Sequence, residues 1–216
     1  MLFRSSITLI AVAFALGVAA PARALVHLWD IAEIYSNADG SVQFVEFFTT
    51  GESEIGWSGA ALRSVSNDVL VEFDLNVDAP TNDRRVLVAT PGFADLPGAV
   101  APDFEIPLAF IDVGGDTLVF TGSVDQVTFE PDQLPTDGLH SLYRTLTIPS
   151  PPTPTPAGPD DLFVGENSPT NYAGEVGHLL PEPGATALAA SALSALAVLG
   201  STRRRDRRRG SDAARG

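Results

Sequence analysis

Carboxylates are the most abundant groups in this sequence that could do chemistry, with 27 Asp and Glu against 13 Lys and Arg. Glu46 alternates in step with Val42, Phe44 and Phe48 in a strand-like segment, which places a carboxylate on an otherwise apolar face. Glu33 lies in the preceding strand-like segment. A buried carboxylate must be paired or hydrogen-bonded. We therefore expect backbone N–H groups or an arginine to be the partners of the Glu46 carboxylate. The alternative is a metal ion that Glu33 and Glu46 bind together.

The other reactive residue types form no catalytic pattern. The chain has no cysteine, which excludes thiolate metal sites and cysteine nucleophiles. His27, His140 and His178 are too far apart in sequence to show metal-ligand spacing. No nucleophile elbow, zinc-protease motif or phosphate-binding loop occurs. We expect structural or solvated histidines, no enzymatic activity, no metal-binding residues and no cofactor.

Two loops and two tryptophans leave alternatives open. The stretches NADGS (residues 37–41) and DVGGD (112–116) have the composition of calcium loops. They lack the alternating Asp spacing and distal Glu of an EF-hand, so ordinary turn formation is the favoured interpretation. Trp29 and Trp57 could offer a sugar-stacking platform, although aromatic residues in strands more often belong to a core.

The negative charge is concentrated in the middle of the chain. Residues 25–180 contain 24 acidic residues and four arginines, a formal charge of −20. Such a surface repels nucleic acid and anionic lipid. We therefore expect no nucleic-acid partner, and we interpret the charge mainly as a source of solubility.

The first 24 residues have the layout of a secretory signal peptide. Arg4 precedes an apolar stretch over residues 7–20, and Ala22 and Ala24 form a small-x-small cleavage site. A helix of about 14 apolar residues would span only ~21 Å, short of the ~30 Å membrane core. We expect cleavage after Ala24 and export of the domain that begins at residue 25, the alternative being an uncleaved anchor.

From residue 26 onward, short apolar segments alternate with turn residues and no 3.6-residue periodicity is present. This pattern predicts an all-β antiparallel sandwich or barrel, flanked by the signal helix and a C-terminal apolar helix. Residues 90–107 are expected to be a surface crossover, and the Pro-rich residues 149–161 a stiff linker or loop. The predicted strands are VHLWDIAEIY, SVQFVEFFTT (an inner strand, apolar on both faces), AALRSV, VLVEFDL, RRVLVAT, IPLAFI, DTLVFTG, VDQVTF and SLYRTLTI.

The order of these segments resembles a lamin-tail-type domain, whose fold is an immunoglobulin-like β-sandwich. IAEIYSNADGSVQFVEFFTTG is similar to that family's opening hairpin, with Glu33 and Glu46 at its two glutamate positions. GGDTLVFTGSVDQVTF, TDGLHSLYR with its Arg144, and the closing turn NSPTN resemble later elements. The resemblance implies a domain over residues 25–148, with residues 162–180 as its closing segment and spacer.

The end of the chain has three parts in succession. Pro181, Glu182 and Pro183 precede an uncharged, alanine-rich run over residues 184–200. As a helix this run would be about 25 Å long, slightly short of a ~30 Å membrane core. A basic cluster comes next that would remain cytoplasmic by the positive-inside rule, and residues 210–216 form a short tail. The cluster consists of Arg203, Arg204, Arg205, Arg207, Arg208 and Arg209.

Residues 181–209 resemble the PEP-CTERM sorting signal of Gram-negative bacteria. The resemblance implies a transient inner-membrane precursor, cleavage near Pro-Glu-Pro by an exosortase-type protease, and transfer to the cell surface or extracellular matrix. LPEPG also resembles the sortase signal, but Pro183 stands where that signal has threonine. We expect a non-catalytic surface protein, associated with exopolysaccharide or adhesion. The alternative is a small hydrolase, or its accessory module, acting on an extracellular polymer, in one version with calcium.

Overall fold

The computed structural model describes residues 26–146 and 156–180. Of these described residues, 38% lie in strands and bridges and 4% in helices, so the described chain is mostly β. Within the described residues there are two short 3₁₀ helices, Phe93–Asp95 and Pro159–Asp161, and ten strands. The strands are β1 (Asp30–Ser36), β2 (Gln43–Thr49), β3 (Ala61–Ser64), β4 (Val69–Glu72), β5 (Arg84–Ala89), β6 (Phe104–Glu105), β7 (Asp116–Phe120), β8 (Asp125–Phe129), β9 (His140–Arg144) and β10 (Leu162–Glu166).

The strands form two sheets, which confirms the all-β, largely antiparallel prediction. One sheet has six strands in the order β10-β9-β1-β2-β5-β6, and the other has four in the order β4-β3-β7-β8. All pairs are antiparallel except β5 with β6. Apolar side chains from both sheets meet in one core cluster, as in a β-sandwich. Its members include Ile31, Val45, Phe47, Val86 and Val88 from the larger sheet and Leu62, Leu118, Phe120, Val127 and Phe129 from the smaller.

Strand β2 is the inner strand that its two apolar faces predict. It lies between β1 and β5, and all seven of its residues are buried. Phe47 faces the core between the sheets, whereas Phe44 faces the other side and packs with Phe93 and Leu179 in a second apolar cluster. Around β2, the larger sheet is therefore covered on both faces.

The structure corrects two of the sequence predictions. Residues 90–107 are more than a surface crossover, because they contain β6 and the fully buried Phe93. The segment IPLAFI is not a strand: Pro107 has no N–H to donate, and Ala109 has a φ of 53°, which breaks an extended chain. The strand β10 was not predicted from the sequence.

A buried ion pair joins the two sheets at the end of β9. Arg144 donates from Nη1 to both carboxylate oxygens of Asp125 on β8, each at 2.7 Å. The backbone N–H of Ile31 on β1 donates to Asp125 Oδ2 at 2.7 Å. Burial raises the pKa of Asp125, and the neighbouring Arg144 opposes that rise. Arg144 is therefore a cross-sheet anchor.

The predicted terminal signals lie outside the described residues. This applies to Ala22 and Ala24, to Pro181, Glu182 and Pro183, to the arginine cluster at 203–209, and to residues 149–155 of the Pro-rich run. The last part of that run is described, and Ala157 is buried there and bridges to Val127. Within residues 26–146 and 156–180, no helix is long and apolar enough to cross a membrane.

Candidate functional site

A β-bulge in β1 places two glutamates opposite each other. Ile31 pairs with Phe47 and Glu33 with Glu46, so Ala32 is the extra residue of the bulge. Because side chains alternate along a strand, the extra residue turns Ile31 toward the core and Glu33 toward the outer face. Both carboxyl groups are thereby buried on the outer face of the larger sheet, each with 0% exposure.

Protein groups satisfy both carboxylates. Arg85 donates from Nη1 to Glu46 Oε1, and the backbone N–H of Thr170 donates to Glu46 Oε2 at 2.6 Å. The backbone N–H of Ser168 donates to Glu33 Oε1 at 2.9 Å, and its hydroxyl to Oε2 at 3.3 Å. This confirms the prediction that N–H groups or an arginine satisfy Glu46.

The donors to this glutamate pair come mainly from one segment, residues 167–171, which we call the closing turn. Ser168 and Thr170 are distant in sequence from both glutamates, and nothing in their residue types marks them as partners of a carboxylate. The pattern NSPTN indicated a turn here, but only the folded structure shows that the turn docks on the glutamate pair. The pair therefore latches the closing turn to the sheet.

The glutamate pair holds its protons more tightly than free carboxyls do. Burial raises the pKa of Glu46 to about 8; Arg85 opposes the rise, and the negative charge of Glu33 adds to it. Burial also raises the pKa of Glu33. Two opposed carboxylates beside one arginine cannot both ionise cheaply, so the pair titrates as a unit and retains a proton near neutral pH.

A substrate cannot reach the protonated glutamate pair. General acid–base catalysis needs a group within hydrogen-bond reach of the reacting atom, and neither carboxyl reaches the surface. In the described part of the chain, no cluster of three or more His, Asp or Glu side chains could hold a metal ion. The geometry fits a structural latch.

The calcium-like loops are built as turns. Asp39 Oδ1 accepts from the backbone N–H of Ser41 at 3.0 Å and from its hydroxyl at 2.6 Å. In the second loop, Asp112 Oδ1 accepts from the backbone N–H of Gly114 at 2.8 Å. Both loops thus have the Asx-type hydrogen bonds that turns use.

The tryptophans and histidines have structural positions. Trp29 and Trp57 are 1% and 0% exposed and pack edge to face at 5.3 Å, so they belong to the core and offer no sugar platform.

Each of the three histidines has a polar partner. His140 Nδ1 lies 2.6 Å from Asp137 Oδ2, and His178 Nδ1 lies 2.9 Å from the Asn167 carbonyl. His27 Nδ1 lies 3.3 Å from a Glu54 oxygen. The histidines are held by local contacts, as expected.

Residues 177–180, which we call the strap, fasten the end of the domain. The N–H of His178 donates to Gly98 O at 2.8 Å, and that of Leu180 donates to Pro97 O at 3.3 Å. The N–H of Leu179 donates to Asn167 Oδ1 at 2.6 Å, and its side chain is 1% exposed. A Cβ at Gly98 would lie 2.0 Å from the carbonyl oxygen of His178, so only glycine permits this approach.

Comparison with known proteins gives no relative. No family model, no curated protein and no solved structure matches this chain.

Proposed function

We propose that this chain is an exported, non-catalytic surface protein. In this proposal residues 1–24 direct export, residues 25–180 form the displayed domain, and residues 181–209 are a PEP-CTERM-type sorting signal read by an exosortase-type membrane protease. The mature domain then resides at the envelope surface or in the extracellular matrix of a Gram-negative bacterium.

The burial of residues next to both proposed signals carries this proposal. Val26 is 3% exposed and Leu179 is 1% exposed, so residues close to both proposed signals are packed in the described domain. The N–H of Leu180 still bonds to Pro97. Packed residues beside both proposed signals support a folded domain over the interval between those signals.

Two further observations support the proposed lamin-tail-type fold and the proposed absence of catalysis. Glu33, Glu46 and Arg144, the residues that resemble lamin-tail positions, all bridge separate parts of the sandwich. This supports an immunoglobulin-like domain of lamin-tail type. The glutamate pair is engaged by Ser168, Thr170 and Arg85, which supports a role in folding and not in catalysis.

Intact-mass measurement of the protein exported by its native host tests the sorting proposal. We expect a mass that begins after Ala24, includes Leu180 and lacks the arginine cluster. As a matched control, replacement of Pro181, Glu182 and Pro183 by alanine should leave the C-terminus uncleaved. An exported wild-type form that keeps residues 203–209 would show that the tail is a plain membrane anchor.

A further inference from the structure

A groove on the outer face of the larger sheet lies beside the glutamate pair and shares Arg85 and Ser168 with it. It has a volume of about 370 Å³ and is lined by residues of β1, β5, β9 and β10 and of the closing turn. Its polar lining consists of Arg85, Tyr143, Arg144, Thr145 and Ser168. None of its described lining residues carries a carboxylate, although the surrounding domain has 24 of them.

One end of the groove presents an aromatic surface. Phe163 lies on the edge strand β10, is 52% exposed, and stacks on Tyr143 with ring centroids 5.5 Å apart and planes at 17°. The Tyr143 hydroxyl donates to the Glu166 carbonyl at 2.5 Å and is 2.9 Å from the Ser168 hydroxyl. The ring that supports Phe163 is thus fixed, and the exposed phenylalanine is a preorganised apolar platform.

The groove offers hydrogen-bond donors but little net charge. Arg85 and Arg144 are two of the four arginines in residues 25–180, and each is paired with a buried carboxylate, Glu46 and Asp125 respectively. The Arg144 side chain is only 9% exposed and is directed toward the other sheet, so Arg85 is the arginine of the groove that can reach a ligand. A guanidinium has five N–H groups, and the Arg85 side chain is 36% exposed, so it can donate further. The hydroxyls of Thr145 and Ser168 can donate or accept.

The charge of the domain selects among possible ligands. A surface of formal charge −20 repels polyanions, and the neutralised arginines of the groove do not reverse that repulsion. A ligand that suits this lining is uncharged, rich in hydroxyl and ether oxygens, and has a flat apolar face for the phenylalanine. A sugar ring has these properties.

We propose that this groove binds a neutral polysaccharide. One sugar ring stacks its C–H face on Phe163, and hydroxyls of the polymer accept from Arg85 and exchange hydrogen bonds with Thr145 and Ser168. Phe163 lies on the edge strand β10 and is 52% exposed, so the groove is open to solvent at that end. This inference rests on the proposed function in one respect: export determines that the polymer is bound outside the cell.

Binding of the purified full-length chain to soluble neutral glucans, an α-glucan and a β-glucan, tests this proposal by affinity electrophoresis and calorimetry. Polygalacturonate serves as the anionic comparator. We expect binding to at least one neutral glucan that persists in about 0.5 M salt, because no net charge is involved, with about tenfold weaker binding in Phe163→Ala from the lost stacking. Leu75→Ala, at a 63% exposed leucine outside the groove, should bind like the wild type.

Thr145→Ala is a second variant that keeps the backbone bond from Thr145 to Asp161 and should weaken binding with an unchanged melting temperature. The proposal is overturned by absence of binding to both neutral glucans, by equal affinity in Phe163→Ala and wild type, or by salt-sensitive binding to polygalacturonate alone. None of these results depends on processing, so a failure here is distinct from a failure of the intact-mass experiment.

Discussion

At the scale of single residues, the opposed Glu33 and Glu46 are the most costly feature of the fold. Like charges directly opposite in a sheet destabilise it, and burial adds a desolvation cost. The structure reduces this cost in two ways: Arg85 contributes one positive charge, and raised pKa values keep a proton on the pair. The closing turn is therefore held by acceptors whose charge depends on pH.

The stability of the domain should fall as the pH rises from about 5 to 8. The pKa of Glu46 is about 8 in the folded chain and near its ordinary value of 4.5 in the unfolded chain. In that window the folded state binds more protons, so the free energy of unfolding decreases with pH, by up to about 1 kcal/mol per pH unit. In Glu46→Gln, urea unfolding measured across this range should show a shallower decrease.

The exposed Glu52 provides the matched control for this experiment. Glu52→Gln removes one formal charge from the same domain without touching the pair, so its pH slope should equal that of the wild type. If Glu46→Gln and wild type lose stability with the same slope, the pKa of Glu46 is not raised in the folded chain.

At the scale of elements, the sequence was informative where alternation is regular. The two apolar faces of β2 predicted an inner strand, and Glu46 was placed among outward-facing Phe44 and Phe48 by parity alone. In β1, Ile31 and Glu33 share a parity, yet the bulge at Ala32 puts them on opposite faces. A period of two cannot reveal an inserted residue, so the opposition of the two glutamates required the structure.

The contacts of the closing turn and of the strap could not be predicted from the sequence, for a different reason. Their hydrogen bonds join residues far apart in sequence, such as Thr170 with Glu46 and His178 with Gly98. No local propensity encodes such contacts. The strand β10 was missed because it comes directly after a proline-rich run, a composition typical of loops.

Asn167 is the residue that couples the closing turn to the strap. It is fully buried, donates from Nδ2 to Leu139 O at 2.7 Å and Leu179 O at 3.2 Å, and accepts the Leu179 N–H at 2.6 Å. Asn167→Ala removes both side-chain bonds to the buried Leu179 backbone, while Leu139 O keeps the backbone N–H of residue 167. It should lower the free energy of unfolding by about 2 kcal/mol. Hydrogen exchange should accelerate at Leu179, while β7 and β8 keep their protection.

The exposed Asn76 is the control for this substitution. Its side chain accepts one backbone N–H, from Ser58 at 2.9 Å, at the surface. Asn76→Ala should therefore change stability by less than about 1 kcal/mol, because water can replace the lost bond. Unchanged exchange at Leu179 in Asn167→Ala would show that the strap holds without Asn167.

At the scale of the whole molecule, the domain has three layers. The four-stranded sheet packs on one face of the six-stranded sheet, and residues 90–107 together with the strap cover the other face. The strap is the last described part of this cover, since Leu179 fills a place beside Phe44 and Phe93. A cut after Leu180 keeps every described residue of the three layers, whereas a cut a few residues earlier removes Leu179 from the outer layer.

Truncated chains should show which C-terminal residues the outer layer needs. A chain stopped after Leu180 retains every strap contact and should melt at the same temperature as the full-length chain. A chain stopped after Glu175 loses the buried Leu179, which costs about 3 kcal/mol, comparable to a large-to-small core substitution, and lowers the melting temperature by about 10 °C.

Leu179→Ala in the chain that ends at Leu180 separates packing from backbone bonding. It keeps the N–H bonds of the strap and removes only the side chain from the cluster of Phe44 and Phe93. It should therefore melt between the two truncated chains, whereas Leu180→Ala, at a 55% exposed leucine next to it, should have little effect. Equal melting temperatures for the chains ending at 175 and 180 would contradict the strap as a structural layer, and the domain would then end at the closing turn.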